Sequence, residues 1–185
     1  MPNSEIPLMD VSEEILRARR KWKFDGSSRP TFAITPTANQ ESVWDYPRPP
    51  CIEAVKHVIE VRHQGRTIAL SARSTRVLET AGAPTYYFPP ADIDPDLKPA
   101  DSTAICEWKG LAQSMTLAGR EVGWRYVKMF PEFLELHLWA SFYPAKLDCY
   151  VNDQPVKPQP GGYYGGWITN NLVGPVKGSP GSQDW

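Results

Sequence analysis

The chain has few cysteines and no excess of charge of either sign. Its 185 residues include three cysteines, an odd number with no C-x-x-C pair. This pattern supports neither a disulfide scaffold nor a Cys-rich zinc site. The 20 basic and 21 acidic side chains leave a formal net charge of −1, so no overall field attracts nucleic acid or an anionic membrane. We therefore expect neither as a partner.

Long apolar runs and recognisable site motifs are also missing. Residues 1–10 lack the basic and apolar segments of a signal peptide. The most apolar stretch, residues 130–145, is interrupted by charged residues and prolines and is too short to span a membrane. The sequence contains no H-E-x-x-H, P-loop or G-x-G-x-x-G motif. We expect a cytoplasmic protein with no transmembrane segment, no bound metal and no cofactor.

Proline, glycine and aromatic residues are plentiful instead. The 19 prolines and 13 glycines interrupt the chain too often for a bundle of long helices. Apolar residues at helical spacing after Ser12 predict one helix over residues 12–22. Apolar residues alternate over 55–63 and again over 68–72, on either side of the turn Gln64-Gly65, which predicts a β-hairpin.

Further short strands are predicted along the rest of the chain. They cover residues 76–80, 85–88, 103–109, 113–118, 121–127, 138–143 and 148–151. Many short antiparallel strands and few helices predict a mainly β fold, either packed sheets or an open barrel.

The two ends of the chain differ in composition from its middle. The N-terminal part, residues 1–54, contains the proline-rich aromatic segment Trp44–Pro50, and residues 156–185 are rich in glycine, proline and aromatics. Trp and Tyr side chains are costly to leave in water. We therefore expect both parts to pack as extensions on a core domain of residues 55–155.

Residues suited to chemistry are densest between Arg76 and Tyr126. The polar candidates are Glu79, Lys109, Arg76 and Cys106, and the aromatic candidates are Tyr87, Trp108, Trp124 and Tyr126. A few polar groups among aromatic rings are typical of a small-molecule pocket, and a partly buried carboxylate or ammonium suits acid–base chemistry. On a regular strand Cys106 and Lys109 point apart, so their pairing requires a bend near Gly110. A buried ion pair in an aromatic core is the alternative interpretation.

These motifs resemble the family called domain of unknown function 427. The resemblance is carried by Arg76–Thr80, Tyr86–Pro89 with Asp92, Cys106–Gly110 with Ala112, Trp124 with Tyr126, and Phe142-Tyr143. The flanks, Gln40–Pro50 and Tyr164–Gly178, are similar to those of the longer family members.

The resemblance implies an antiparallel β-tent-like fold of two small packed sheets, and it implies no settled activity. Many β-tent proteins hold zinc with two C-x-x-C pairs, which this chain lacks. Relatives place aromatic residues after the Lys-Gly-x-Ala segment, where this chain has Ser114 and Met115. If those positions line the pocket, its ligand is expected to differ from theirs.

Two functions are compatible with the sequence. The first is binding of a small molecule in the aromatic pocket. If the pocket is catalytic, we expect proton-transfer chemistry without a cofactor, such as an isomerisation, cyclisation or hydrolysis, in which Glu79 or Lys109 moves the proton and Arg76 steadies an anion. A variant of this hypothesis makes Cys106 a nucleophile beside a cation.

The second function is non-catalytic. In it, the aromatic segments 44–50 and 161–167 contact another protein or a second copy of the chain, forming a homodimer. A nucleotidyltransferase activity, the label attached to the family, has no supporting phosphate-binding or two-carboxylate metal motif in this sequence.

Overall fold

The fold is mainly β and consists of several small, mostly antiparallel sheets. The structure is a computed structural model that describes residues 7–185. Strands account for 39% of the structure and helices for 11%, which confirms the predicted class. The strands are β1 (Glu41–Ser42), β2 (Cys51–Ala54), β3 (Ile59–His63), β4 (Arg66–Ser71), β5 (Thr75–Leu78), β6 (Thr85–Tyr87), β7 (Lys98–Cys106), β8 (Gly110–Leu117), β9 (Arg120–Met129), β10 (Ala140–Phe142), β11 (Asp148–Val151), β12 (Gln154–Pro155), β13 (Lys157–Pro158), β14 (Trp167–Ile168) and β15 (Leu172–Val173).

The predicted helix is present as α1 (Glu13–Arg20). It begins after Ser12, whose hydroxyl accepts a hydrogen bond from the backbone N–H of Ile15 at 3.3 Å. Ile15 is its buried residue. Three short 3₁₀ helices, Val43–Asp45, Pro90–Asp92 and Pro131–Leu136, complete the helical elements of residues 7–185. None of the described helices has the length and apolar character needed to cross a membrane.

The predicted hairpin is formed by β3 and β4, which pair antiparallel. Gln64 and Gly65 have φ of 51° and 79°, as a two-residue turn of the twist-matching type requires. The first strand starts at Ile59 and not at Val55, because the backbone N–H of Val55 bonds to Ser74 outside this sheet. The pair belongs to a four-stranded sheet in the order β12-β11-β3-β4.

A second four-stranded sheet, in the order β10-β9-β8-β7, packs over the first. Alternate side chains of both sheets point inward, so Ile59 and Val61 of β3 share a core with Met115 of β8. Phe88 and Phe142 add an edge-to-face ring pair at 5.4 Å to this core. A third sheet, in the order β2-β5-β6, stands beside the second.

Both flanks bury aromatic residues against the rest of the fold. Strands β1 and β15 pair in parallel and join the two ends to each other. Trp44 is buried, and its ring packs against Trp185 at 5.2 Å. Trp167 is also buried and donates an indole hydrogen bond to the Phe142 carbonyl at 3.0 Å. These contacts fix the positions of the flanks relative to the sheets.

Candidate functional site

A cavity of about 1110 Å³ lies among β5 to β9, α1 and the C-terminal part of the chain. Six of the eight residues that the sequence predicts for the site line it: Glu79, Tyr87, Cys106, Lys109, Trp124 and Tyr126. The structure therefore brings together side chains that are up to 47 positions apart in the sequence.

The bend that the Cys106–Lys109 pair requires is the turn between β7 and β8. Cys106 and Gly110 face each other in the antiparallel register, and residues 107–109 form the loop. Gly110 has φ of +124°, and a Cβ on it would lie 2.8 Å from the Cα of Met129. Glycine is therefore required here, since other residues rarely adopt this φ and the space is filled.

The aromatic wall of the cavity results from strand alternation. Trp124 and Tyr126 are two residues apart on β9 and both line the cavity. Their partners on β8 are Ser114 and Ala112, whose small side chains leave open the space in front of the rings. Tyr87 on β6 meets Trp124 edge to face at 6.3 Å.

Lys109 places a buried cation on the cavity wall. Its side chain is well covered, with the residue 8% exposed. Burial alone would lower the pKa of the Lys109 ammonium, but the neighbouring Cys106, Tyr87 and Glu79 side chains outweigh burial and raise that pKa above its ordinary value. Lys109 is therefore a cation at neutral pH and a hydrogen-bond donor.

The hydroxyl of Tyr87 is buried without a hydrogen-bond partner. The residue is 0% exposed, and its oxygen has no partner among the described residues. Burial raises the pKa of the Tyr87 phenol, and it raises the pKa of Tyr126 well above the usual range. Both phenols keep their protons at neutral pH. An unpaired buried hydroxyl costs free energy. Six other buried side-chain atoms of the described residues also lack a partner, but none of them belongs to a residue that lines this cavity.

Glu79 supplies the carboxylate of the cavity and is held by Arg48. The Arg48 Nε donates to a carboxylate oxygen of Glu79 at 3.2 Å. Its other nitrogens donate to the carbonyls of Phe24 at 2.5 Å and Thr80 at 2.8 Å. Because the guanidinium is fixed by three acceptors, the carboxylate it contacts has a defined position.

The N-terminal helix is fastened to the β7–β8 turn through Glu107. Trp22 donates its indole N–H to the Glu107 carboxylate at 2.9 Å, and Arg19 donates to the Glu107 carbonyl at 2.7 Å. Trp22 and Lys21 then line the cavity opposite the sheet. The tail segment, defined as residues 162–166, forms a further wall.

Two predicted site residues lie elsewhere. Arg76 is outside the lining of this cavity and donates to Glu41 at 2.8 Å and Glu53 at 2.7 Å. Its neighbour Val77 faces the cavity, so strand alternation turns Arg76 away. Trp108 lines a separate cavity of about 400 Å³ on the other side of the turn.

Many lining residues were not predicted for the site, and three of them carry polar groups of the cavity wall: Trp22, Arg48 and Lys177. All three come from the flanks. The sequence pointed to these residues only through the aromatic content of the flanks, which predicts that the flanks pack on the core. That content does not identify the surface of the core that each flank covers.

The donor set does not fit the zinc site of β-tent proteins. Cys51, Cys106 and Cys149 are free thiols at three different degrees of burial. Across residues 7–185, no three His, Cys, Asp or Glu side chains come together as metal ligands would.

A family model described as domain of unknown function (DUF427) matches residues 51–153, more than half of the chain. No curated protein matches the chain. The match includes β2 through β11 but neither α1 nor Lys177. The cavity therefore combines walls from the matched region with walls from both flanks.

Proposed function

The chain belongs to the domain of unknown function 427 family, and from that premise we propose that its cavity binds a small organic molecule with a carbonyl or carboxylate oxygen. The observation that carries the proposal is the Tyr87 hydroxyl, buried without a partner on the same wall as the Lys109 ammonium. The ammonium can only donate and the phenol can donate or accept, so a single ligand atom that pairs with both is an acceptor. A ligand oxygen would remove the cost of leaving Tyr87 unpaired.

The remaining walls favour a flat, largely apolar body for the ligand. Trp124 and Tyr126 offer ring faces, and the small residues Ala112 and Ser114 leave room beside them. Apolar walls with a few fixed polar groups are typical of small-molecule sites.

The same arrangement supports proton-transfer chemistry without a cofactor. The Glu79 carboxylate would remove a proton from the carbon next to the ligand carbonyl, and the electron pair of that C–H bond would move onto the carbonyl oxygen. Lys109 and Tyr87 would donate hydrogen bonds to the resulting oxyanion. Return of the proton to another atom completes an isomerisation, so no oxidant or reductant is needed.

Native mass spectrometry of freshly purified protein, followed by a ligand screen, tests this proposal. We expect a co-purified or screened small molecule to bind the wild type. Lys109→Met removes a charged donor, worth about 1.5–3 kcal/mol, and should weaken binding by roughly 10- to 150-fold. Glu79→Gln keeps the shape and should reduce turnover more than binding.

Ser114→Phe is the matched steric variant. It leaves Lys109, Tyr87 and Glu79 in place but fills the space in front of Trp124, so it should abolish binding. If Lys109→Met and Glu79→Gln both fail to fold, these residues are structural and the proposal is wrong. A ligand-free dimer would favour the alternative proposal, in which the protein is an interaction module.

A further inference from the structure

A second cavity, of about 400 Å³, takes no part in the proposed chemistry. Its lining comes from α1, from the start of β2 with the prolines before it, from the β7–β8 turn and from the 3₁₀ helix before β10. Pro50, Trp108 and Phe133 are its buried apolar residues, whereas Glu132 and Glu135 are exposed. None of these five residues lines the first cavity, so the two cavities are separate sites.

The indole N–H of Trp108 is buried without a hydrogen-bond partner. Trp108 is 6% exposed, and its Nε1 has no acceptor among the described residues. The Arg19 guanidinium lies over the Trp108 ring at 5.2 Å and over the Phe130 ring at 4.7 Å. This packing holds the indole in place. Because an indole N–H can only donate, the group that satisfies it is an acceptor, such as a carbonyl oxygen.

The charged residues of this cavity are mostly acidic. They are Glu132, Glu135 and Arg19. Arg19 already donates to the backbone carbonyl of Glu107 at 2.7 Å, and its contact with Glu132 is long, at 3.9 Å. Glu135 forms no ion pair with any residue that the structure describes. Two exposed carboxylates against one partly covered guanidinium favour a ligand with a positive charge.

Strand β2 adds an unpaired strand edge to this site. It is the outer strand of the sheet β2-β5-β6, and within the described part of the chain it pairs only with β5. Its residues Cys51 and Ile52 line the cavity, and most of the strand is exposed. The free edge of a strand presents unpaired backbone N–H and C=O groups, with which an extended peptide can pair as an added strand.

We propose that the second cavity and the edge of β2 together dock an extended, basic peptide segment of a partner protein. The peptide backbone adds a strand to β2, and one of its carbonyl oxygens accepts a hydrogen bond from the Trp108 indole. A lysine or arginine side chain of the peptide reaches Glu132 and Glu135. A small amide would satisfy only Trp108, whereas a peptide also pairs the strand edge and complements the acidic residues.

This inference goes beyond the proposed function, because it concerns a different cavity and binding without chemistry. A failed ligand screen on the first cavity would leave it intact, and a failed peptide selection would leave the proposed function intact.

Selection of random heptapeptides displayed on phage, with the intact protein as the target, tests the inference. We expect the selected sequences to be rich in lysine and arginine and poor in aspartate and glutamate. Synthetic versions of these peptides should slow the alkylation of Cys51 by iodoacetamide, because Cys51 is exposed and lines the docking site. Cys106 lines the first cavity and is the internal reference, whose rate of alkylation should not change.

Three variants locate the binding. Glu135→Lys reverses an exposed charge of the site and should weaken peptide binding by at least about threefold. Glu13→Lys is its matched control, because it makes the same change of charge at an exposed position of α1 that lines neither cavity. It should bind the peptides as the wild type does. Trp108→Phe, checked for folding by circular dichroism, removes the indole donor and should weaken binding by roughly 2- to 12-fold.

The inference is wrong if no selected peptide protects Cys51, or if the peptides bind Glu135→Lys as tightly as the wild type. It is also wrong if a higher protein concentration protects Cys51 without any peptide, because the occupant would then be a second copy of the chain. A small amide that protects Cys51 where the peptides do not would likewise replace the peptide as the ligand.

Discussion

Replacing Gly165 with alanine should detach the tail segment from the cavity. A Cβ at Gly165 would lie well within 3.0 Å of the Trp124 ring, a separation that folded proteins do not tolerate. The ring cannot retreat easily, because it packs against Tyr143 at 4.8 Å and meets Tyr87 at 6.3 Å. The tail segment must move instead.

The expected cost is that of overpacking a buried site, about 1–3 kcal/mol. For a chain of this length, each kcal/mol lowers Tm by roughly 2–4 °C. A neighbouring backbone hydrogen bond resists the displacement of the tail segment: the Gln159 N–H donates to the Gly166 carbonyl at 3.0 Å. The loss of unfolding free energy therefore comes partly from strain and partly from lost contact between the tail segment and Trp124.

Hydrogen exchange and chemical denaturation together measure this effect. Gly165→Ala should speed amide exchange over residues 162–167 and lower the free energy of unfolding. Gly162→Ala is the matched control, because a Cβ there meets nothing within 4 Å and its φ of +71° adds only backbone strain, about 1 kcal/mol. If Gly165→Ala leaves both exchange and stability unchanged, the described packing of the tail on Trp124 is wrong.

Three further changes test other parts of the site. Tyr87→Phe removes a buried hydroxyl without a partner, so it should stabilise the protein by about 1 kcal/mol in urea denaturation while weakening ligand binding. A loss of stability would show that the hydroxyl is satisfied. Gly110→Ala, at φ of +124° against Met129, should cost about 2–4 kcal/mol, and full stability would contradict the described turn. Burial, followed by the charge of Arg48, lowers the pKa of Lys177 in the folded protein from the ordinary 10.5 to about 8. Between pH 8 and pH 10.5 the unfolded chain therefore binds more protons than the folded protein does. The stability of wild type relative to Lys177→Met should therefore rise with pH across that window, by about 2–3 kcal/mol, and a flat difference would show that the pKa is not lowered.

Local patterns predicted the elements of the fold well. The strand at residues 148–151 has the predicted bounds, and the hairpin turn at Gln64-Gly65 is confirmed. Strand β7 begins at Lys98, earlier than predicted. Its first residues were missed because its pairing with β8 shifts register between Pro99 and Thr103. A strand interrupted in this way has no regular alternation for sequence reasoning to detect.

The cavity was predictable only where its walls are local. Alternation on β9 and the bend at Gly110 are short-range features, so Trp124 and Lys109 could be placed from the sequence. Arg48 and Lys177 could not, because they are 129 positions apart and meet through the packing of both flanks. The side of the sheet to which Arg76 points depends on strand register, which the sequence left open.

A ligand-observed NMR screen of carbonyl and carboxylate compounds against wild type and Ser114→Phe tests the central claim most directly. Ser114 lines the cavity next to Trp124, its partner on the neighbouring strand. Its replacement by phenylalanine fills space and removes one exposed hydrogen bond, to Glu121 at 3.2 Å, but leaves Lys109, Tyr87 and Glu79 in place. The account predicts aromatic carbonyl or carboxylate ligands that bind the wild type, are lost from Ser114→Phe and bind Lys109→Met more weakly. Ligands that bind all three proteins equally would contradict it.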